Sequence, residues 1–110
     1  MAGQPPAGES PAHQDLLREG LRPARWSNGP DAVYGVHEHP YGKVLVIESG
    51  SIVFTIHPPA KGLGWGGHGT RIVRMKRGDR LDLLPRTPHS AVVGPEGVVC
   101  LEAHVRPKTS

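Results

Sequence analysis

The residues best suited to chemistry in this chain lie in HEHPYGKVLVIESG, residues 37–50, where His37 and His39 stand two apart and Lys43 follows. Residues two apart on a strand share a face. Two imidazoles so placed can converge on one divalent metal ion, the geometry that His-x-His pairs supply. Alone, such a pair is weak evidence, and a structural or surface role is the favoured reading. A third histidine, His89, follows the loop PRTP and opens another apolar run.

These residues need rigid strands to hold them, and the patterning supplies strands. AVYGVHEH alternates, placing Val33, Gly35, His37 and His39 on one face and Tyr34, Val36 and Glu38 on the other. KVLVIE puts Lys43, Leu45 and Ile47 on one face. SIVFTIH puts Ile52, Phe54 and Ile56 on one face, with Ser51, Val53, Thr55 and His57 opposite. With Ser49-Gly50 between them, these two runs predict a hairpin. TRIVRM and RLDLL predict two short strands joined at RGD. SAVV, the turn GPEG and VVCLEAHV predict a last hairpin. Seven or eight short strands make an all-β chain, a sandwich or barrel. Residues 58–69, PPAKGLGWGGHG, predict a long loop, the kind that borders binding sites. Trp65 in it is a candidate lid contact, and His68 could reach the cavity mouth.

HQDLLREGL, residues 13–21, predicts one or two helical turns ended by Gly20, with Leu16, Leu17 and Leu21 against the body. Residues 1–12 carry too little apolar surface to offset chain entropy and are expected to be a disordered tail. No internal repeat is present, so residues 13–110 are expected to form a single domain.

The chain has 110 residues, with 15 glycines, 12 prolines, two tryptophans, two tyrosines and one phenylalanine, a mix that suits strands and turns rather than a helix bundle. Net charge is +3, and only Arg74-Met75-Lys76-Arg77 clusters cations. Without interleaved aromatics it reads as a solvated turn, so no nucleic-acid partner is expected. Cys100 is the only cysteine, which excludes an intramolecular disulfide and reads as a small buried hydrophobe. No basic start precedes an apolar stretch, and no run approaches the roughly 18 residues of a membrane helix. The expectation is a cytoplasmic protein with no membrane partner. Trp26 is expected in the core or at a sheet edge, and Tyr34 and Tyr41 near the barrel mouth. Surface or packing roles are expected for His13, His57 and His104. No Gly-rich phosphate loop opens a helix, so a small organic ligand is favoured over a nucleotide.

Taken together, these residues resemble the cupin superfamily, and more closely its small single-domain members with an RmlC-like jelly roll. The first cupin motif is His-x-His, a short gap, usually Glu, six residues, then Gly. Here it reads His37, Glu38, His39, three residues, Lys43, six residues, Gly50. The second runs Gly, Asp, an apolar strand, Pro-x-Gly, two residues, His. Here it reads Gly78, Asp79, then residues 80–84, Pro85, Arg86, Thr87, Pro88, His89. Lys43 holds the usual Glu position, and the second motif lacks its Gly and is one residue short. The resemblance spans residues 25–105. It implies a small β-barrel with a cavity near one end, where His37, His39 and His89 are metal ligands and Lys43 stands in the fourth place.

A lysine amine ligates only when deprotonated, and an ammonium beside a divalent ion is repulsive. Two arrangements resolve the conflict. In one, Lys43 swings toward an acid such as Glu48 or a substrate carboxylate, leaving three histidines to hold Zn, Fe, Mn, Ni or Cu. Otherwise no metal binds, and the pocket takes a polar or anionic molecule. The first expectation is a metal-dependent enzyme of the dioxygenase, isomerase or decarboxylase kind, in which Lys43 would be a catalytic residue that orients an anionic substrate or stabilises developing negative charge. The alternatives are a metal-free small-molecule binding module and a structural scaffold. Short exposed edges such as TRIVRM offer a route to a homodimer.

Overall fold

The computed structural model describes residues 10–57 and 69–105. The expected loop contacts of Trp65 and His68 lie outside them, as do residues 1–9 of the expected tail. A short helix, α1 (Pro11–Arg18), precedes six strands: β1 (Ala24–Asn28), β2 (Val33–His37), β3 (Gly42–Ile56), β4 (Arg71–Lys76), β5 (Arg80–Leu83) and β6 (His89–Val105). All pairings are antiparallel.

Two long strands organise everything. Neither expected hairpin forms: β3 runs straight through Ser49-Gly50 and β6 straight through GPEG. They pair with each other from Gly42↔Val105 to Ile56↔His89. At the middle the register slips, so that Gly50 pairs Val98 while Ile52 pairs Val93. Residues 94–97 bulge out of the ladder instead of reversing the chain. Gly50 and Gly97 have φ of +74° and +81°, which glycine adopts without a Cβ penalty. A Cβ on Gly50 would lie 1.9 Å from the Gly97 carbonyl oxygen. The glycines therefore serve a close strand crossing and a bend, not turns.

The bend folds the strands into two facing layers. In one, the first half of β3 pairs β5 and the last half of β6 pairs β1; in the other, the second half of β3 pairs β4 and the start of β6 pairs β2. Leu45, Ile47 and Cys100 of one layer meet Ile52, Phe54 and Val93 of the other in the main core. Burying these side chains removes apolar surface from water, at about 25 cal/mol per Å². The alternation read in SIVFTIH therefore places Ile52, Phe54 and Ile56 inward as expected. The fold is all-β, a small jelly roll.

β1 was not legible as a strand; Trp26 on it is packed against the core. The faces of β2 are also the reverse of the expected ones near its start. Tyr34 packs on the core and Val33 is exposed. A register shift between Tyr34 and His37 then turns His37 inward as well. The basic cluster is mostly strand, with Met75 buried, and the turn begins at Arg77. β4 ends the sheet order, so TRIVRM is an edge.

α1 covers the outer side of the first layer, where Leu16 packs on Val44, Val46 and Leu101. It begins two residues earlier than expected, because Ser10 caps it by accepting from the His13 N–H at 3.0 Å and Pro11 occupies the first turn. Gly20, at φ +82°, ends it as expected, and the Leu21 N–H donates back to the Leu16 carbonyl at 3.0 Å. Leu16 and Leu21 join the packing, but Leu17 stays exposed. Among the described residues no helix is long and apolar enough to cross a membrane.

Candidate metal centre

At one end of the jelly roll the start of β6 and the end of β2 lie side by side, with His37 paired to His89. His39 lies just beyond β2 and reaches the same point. A ligand nitrogen from each of His37, His39 and His89 lies within 4.8 Å of the others. The ring centroids are 4.3 to 5.5 Å apart. The structure thus brings together all three histidines singled out in the sequence.

Two rings are locked by the backbone. His37 Nδ1 lies 2.8 Å from the Gly35 carbonyl, and His89 Nδ1 lies 2.8 Å from the Thr87 carbonyl. A carbonyl only accepts, so each Nδ1 carries a proton, and in the neutral ring Nε2 is the atom left with a bare lone pair. Second partners of this kind fix the tautomer of metal-ligating histidines. His39 differs. Its Nδ1 faces the Tyr41 hydroxyl at 3.4 Å, and its Nε2 is buried with no hydrogen-bond partner. A buried, unsatisfied nitrogen is costly and calls for an explanation. A metal ion bound by three Nε2 atoms would satisfy it.

The electrostatics also favour neutral ligands. Burial, with Lys43 and His37 nearby, holds His39 below the usual imidazole range. Burial holds His89 down as well, opposed in part by its bond to Thr87. A neutral imidazole is the ligating form.

The shortened second motif works through strain. Arg86 occupies left-handed backbone at φ +59°, where the motif's usual Gly is missing. Its N–H donates to the His39 carbonyl at 2.6 Å, tying the two motif loops together.

Below the histidines a cavity of about 280 Å³ opens between the layers. His37 and His89 form its top, Leu45, Ile52, Phe54 and Ala91 its apolar walls. Lys43 and Glu102 project into it from the first layer. Lys43 is not paired with Glu48. Its Nζ lies 3.2 Å from Glu102 Oε2, while Glu48 accepts from Arg25 on the other side of the fold at 2.5 and 3.0 Å. The reason is geometric: Leu45 pairs Glu102 across the sheet, so Lys43 and Glu102 are diagonal neighbours on the inward face. Trp26 Nε1–H donates to Glu102 Oε1 at 3.1 Å.

Glu102 is the site residue that the sequence reading missed. Its signal was the alternation Cys100, Glu102, His104, which puts an acid on an otherwise core-facing edge. Tyr41 was expected near the mouth. It stacks between His39 and His104, with centroids at 5.1 and 4.1 Å. His57 pairs with Ser90 at 3.3 Å, apart from the three histidines, and His13 is half-buried in the first turn of α1.

No family sequence model matches the chain, and no curated protein matches it in sequence. Solved structures do match. The formate complex of oxalate decarboxylase from Lactobacillus farciminis is 21% identical with a TM-score of 0.64, over 82% of this chain and 25% of that one. The Bacillus subtilis oxalate decarboxylase, studied for its Mn(II) centres, is 23% identical with a TM-score of 0.64, over 82% and 22%. An RmlC-like cupin from Shewanella frigidimarina is 19% identical with a TM-score of 0.60, over 80% and 68%. The chain thus spans about a quarter of the oxalate decarboxylase chains it matches. The two bent central strands, the histidines at one end and these structural matches lead to one conclusion: the chain has the cupin fold.

Proposed function

We propose that His37, His39 and His89 bind one divalent metal ion and that the adjoining cavity takes a small organic anion. The observation that carries this reading is the His39 Nε2 atom, buried without a partner and gathered with two histidines whose Nδ1 atoms are already engaged. The Mn(II) centres of the Bacillus subtilis oxalate decarboxylase make manganese the first ion to try, with Zn, Fe, Ni and Cu as competitors.

When bound, the ion would supply Lewis acidity at a site left open by three ligands. The chain's own residues do the rest. Leu45, Ile52, Phe54 and Ala91 exclude water from the ligand's apolar part. Lys43, its side chain 12% exposed, offers its remaining N–H donors to a carboxylate. A cavity of about 280 Å³ holds the volume of about nine waters, which matches a ligand of on the order of ten non-hydrogen atoms. An enzyme of the dioxygenase, isomerase or decarboxylase kind fits these parts. The second reading, a metal-free binding module, draws on Lys43 standing where a carboxylate ligand would.

The test is direct. Protein stripped with a chelator is titrated with Mn(II), Zn(II) and Co(II), and metal content is measured by elemental analysis. One ion per chain, lost in His39→Ala and His89→Ala, supports the metal site. Folded protein that binds none of the three at micromolar concentrations overturns it and leaves the binding module.

A further inference from the structure

We propose that Glu102 is the counter-charge that makes the metal site tolerate Lys43: a positioning residue, not a ligand. This rests on the three-histidine site proposed above and extends it to a residue outside both histidine motifs, near the other end of β6 from His89.

Lys43 is the second residue of β3, on its inward face, and lines the same cavity as His37 and His89. An unpaired ammonium there would oppose a divalent ion through a poorly solvated medium, where charge interactions are strong. The structure does not leave it unpaired. Glu102 Oε2 lies 3.2 Å from Nζ, and the two side chains are 12% and 22% exposed. Trp26 fixes the other carboxylate oxygen at 3.1 Å, and His104 Nε2 stands 3.6 Å from Oε2. Glu102 is thus aimed at Lys43 by a neutral donor on β1.

Glu102 does not replace the missing ligand. Among the described residues, the group of nitrogen and carboxylate atoms close enough to share an ion contains only the three histidines. Its charge acts at a distance. The consequence is a change in the balance of charge around the ion. A ligating carboxylate at position 43 would bring one negative charge to three neutral imidazoles. The Lys43–Glu102 pair brings none. The bound ion therefore keeps its full double charge and attracts an anionic ligand more strongly.

The test is a four-protein cycle: the parent chain, Lys43→Met, Glu102→Gln and the double variant. Each is stripped of metal, and its affinity for Mn(II) and Zn(II) is measured by competition with a chromophoric chelator at fixed pH and salt. Gln keeps an acceptor for Trp26, so Glu102→Gln changes charge with little change of shape. We expect Glu102→Gln to weaken binding about tenfold or more, because the ammonium is left uncompensated. Lys43→Met should tighten binding by a similar factor, since it leaves Glu102's charge near the ion. The double variant should return to within about threefold of the parent, as cancelling charges require. A Glu102→Gln protein that binds as the parent does overturns the proposal. So does a double variant as weak as Glu102→Gln, which would mark a structural role. If Glu102→Gln does not fold, Lys43→Met decides: unchanged or weaker binding overturns the proposal. A parent chain that binds neither ion removes the metal site itself, a result separate from any of these.

Discussion

Replacing Gly50 by alanine tests whether β3 is one bent strand or two strands of a hairpin. Gly50 sits at φ +74°, and an added Cβ would meet the Gly97 carbonyl oxygen at 1.9 Å. Two costs add. The left-handed backbone costs an L-residue about 1–2 kcal/mol. The contact is with backbone of the neighbouring strand, so it is relieved only if β3 and β6 part by about 1 Å at their crossing. Forced shifts of this kind cost about 1–3 kcal/mol, and a backbone neighbour puts this one at the upper end. The total is about 3–5 kcal/mol, against a stability of about 5–15 kcal/mol for a domain of ordinary size. At about 4–8 °C per kcal/mol, Tm should fall by about 12 °C or more.

Gly78 supplies the control. It has φ +91° and nothing within 4 Å of an added Cβ. Gly78→Ala should therefore show the backbone cost alone, about 1–2 kcal/mol. The gain that both alanines make by restricting the unfolded chain cancels in the comparison. Thermal and urea unfolding followed by circular dichroism reads both variants. If Gly50→Ala loses no more than Gly78→Ala, Gly50 lies in an open turn, and the continuous strand that folds the two layers together is refuted.

Three further outcomes follow from the same geometry. Lys43→Glu should bind divalent metal at least about tenfold more tightly than the parent, while its metal-free form melts lower because two carboxylates then face each other in the cavity; isothermal titration and thermal scans read both, and no gain in affinity means that position 43 does not reach the ion. Cys100 is fully buried and burial pushes its thiol up to about 12, so alkylation by iodoacetamide at pH 8 should be slower than that of the urea-unfolded chain by a factor of about a hundred or more; reaction at the unfolded rate would refute the packing. The Arg25 guanidinium holds Glu48 below the usual carboxylate range, so the pair's contribution is full above the unfolded carboxylate value and is lost as pH falls through the lower folded one; Glu48→Gln should flatten the acid limb of urea midpoints between pH 5 and pH 2, and an unchanged limb means that the pair contributes nothing.

The candidate site was more legible than the path of the chain that builds it. His37, His39 and His89 could be singled out because their spacing and loop order carry information that survives irregular backbone. His37 reached the site although the β2 faces read from alternation were wrong at Tyr34, since the shift after Tyr34 restored its direction. The hairpins were misread for a single reason. Ser49-Gly50 and GPEG satisfy every local rule for a turn, because a turn and a bulge ask the same of glycine: a positive φ. What separates them is the long pairing of β3 with β6, which no window of neighbouring residues contains. β1 failed for another reason. ARWSN carries one large apolar residue, too little for a period, and its strand is made by the edge of β6.

The lysine joins these two lessons. From the sequence Lys43 was an anomaly, because the acid that offsets it lies 59 positions away (102 against 43) and only the continuous β3–β6 ladder makes them neighbours. Had Ser49-Gly50 and GPEG been turns, nothing in the pairing would place Glu102 diagonal to Lys43, and Glu38 and Glu48, each five positions away, would be the nearest acids in sequence. The strand crossing at Gly50 and the charge balance at the histidines are therefore one structural fact read at two places. A Gly50→Ala protein that still folds but with its strands parted should lose metal affinity in the same direction as Glu102→Gln, whereas Gly78→Ala, at the turn between β4 and β5 where no added Cβ meets a neighbour, should leave it unchanged.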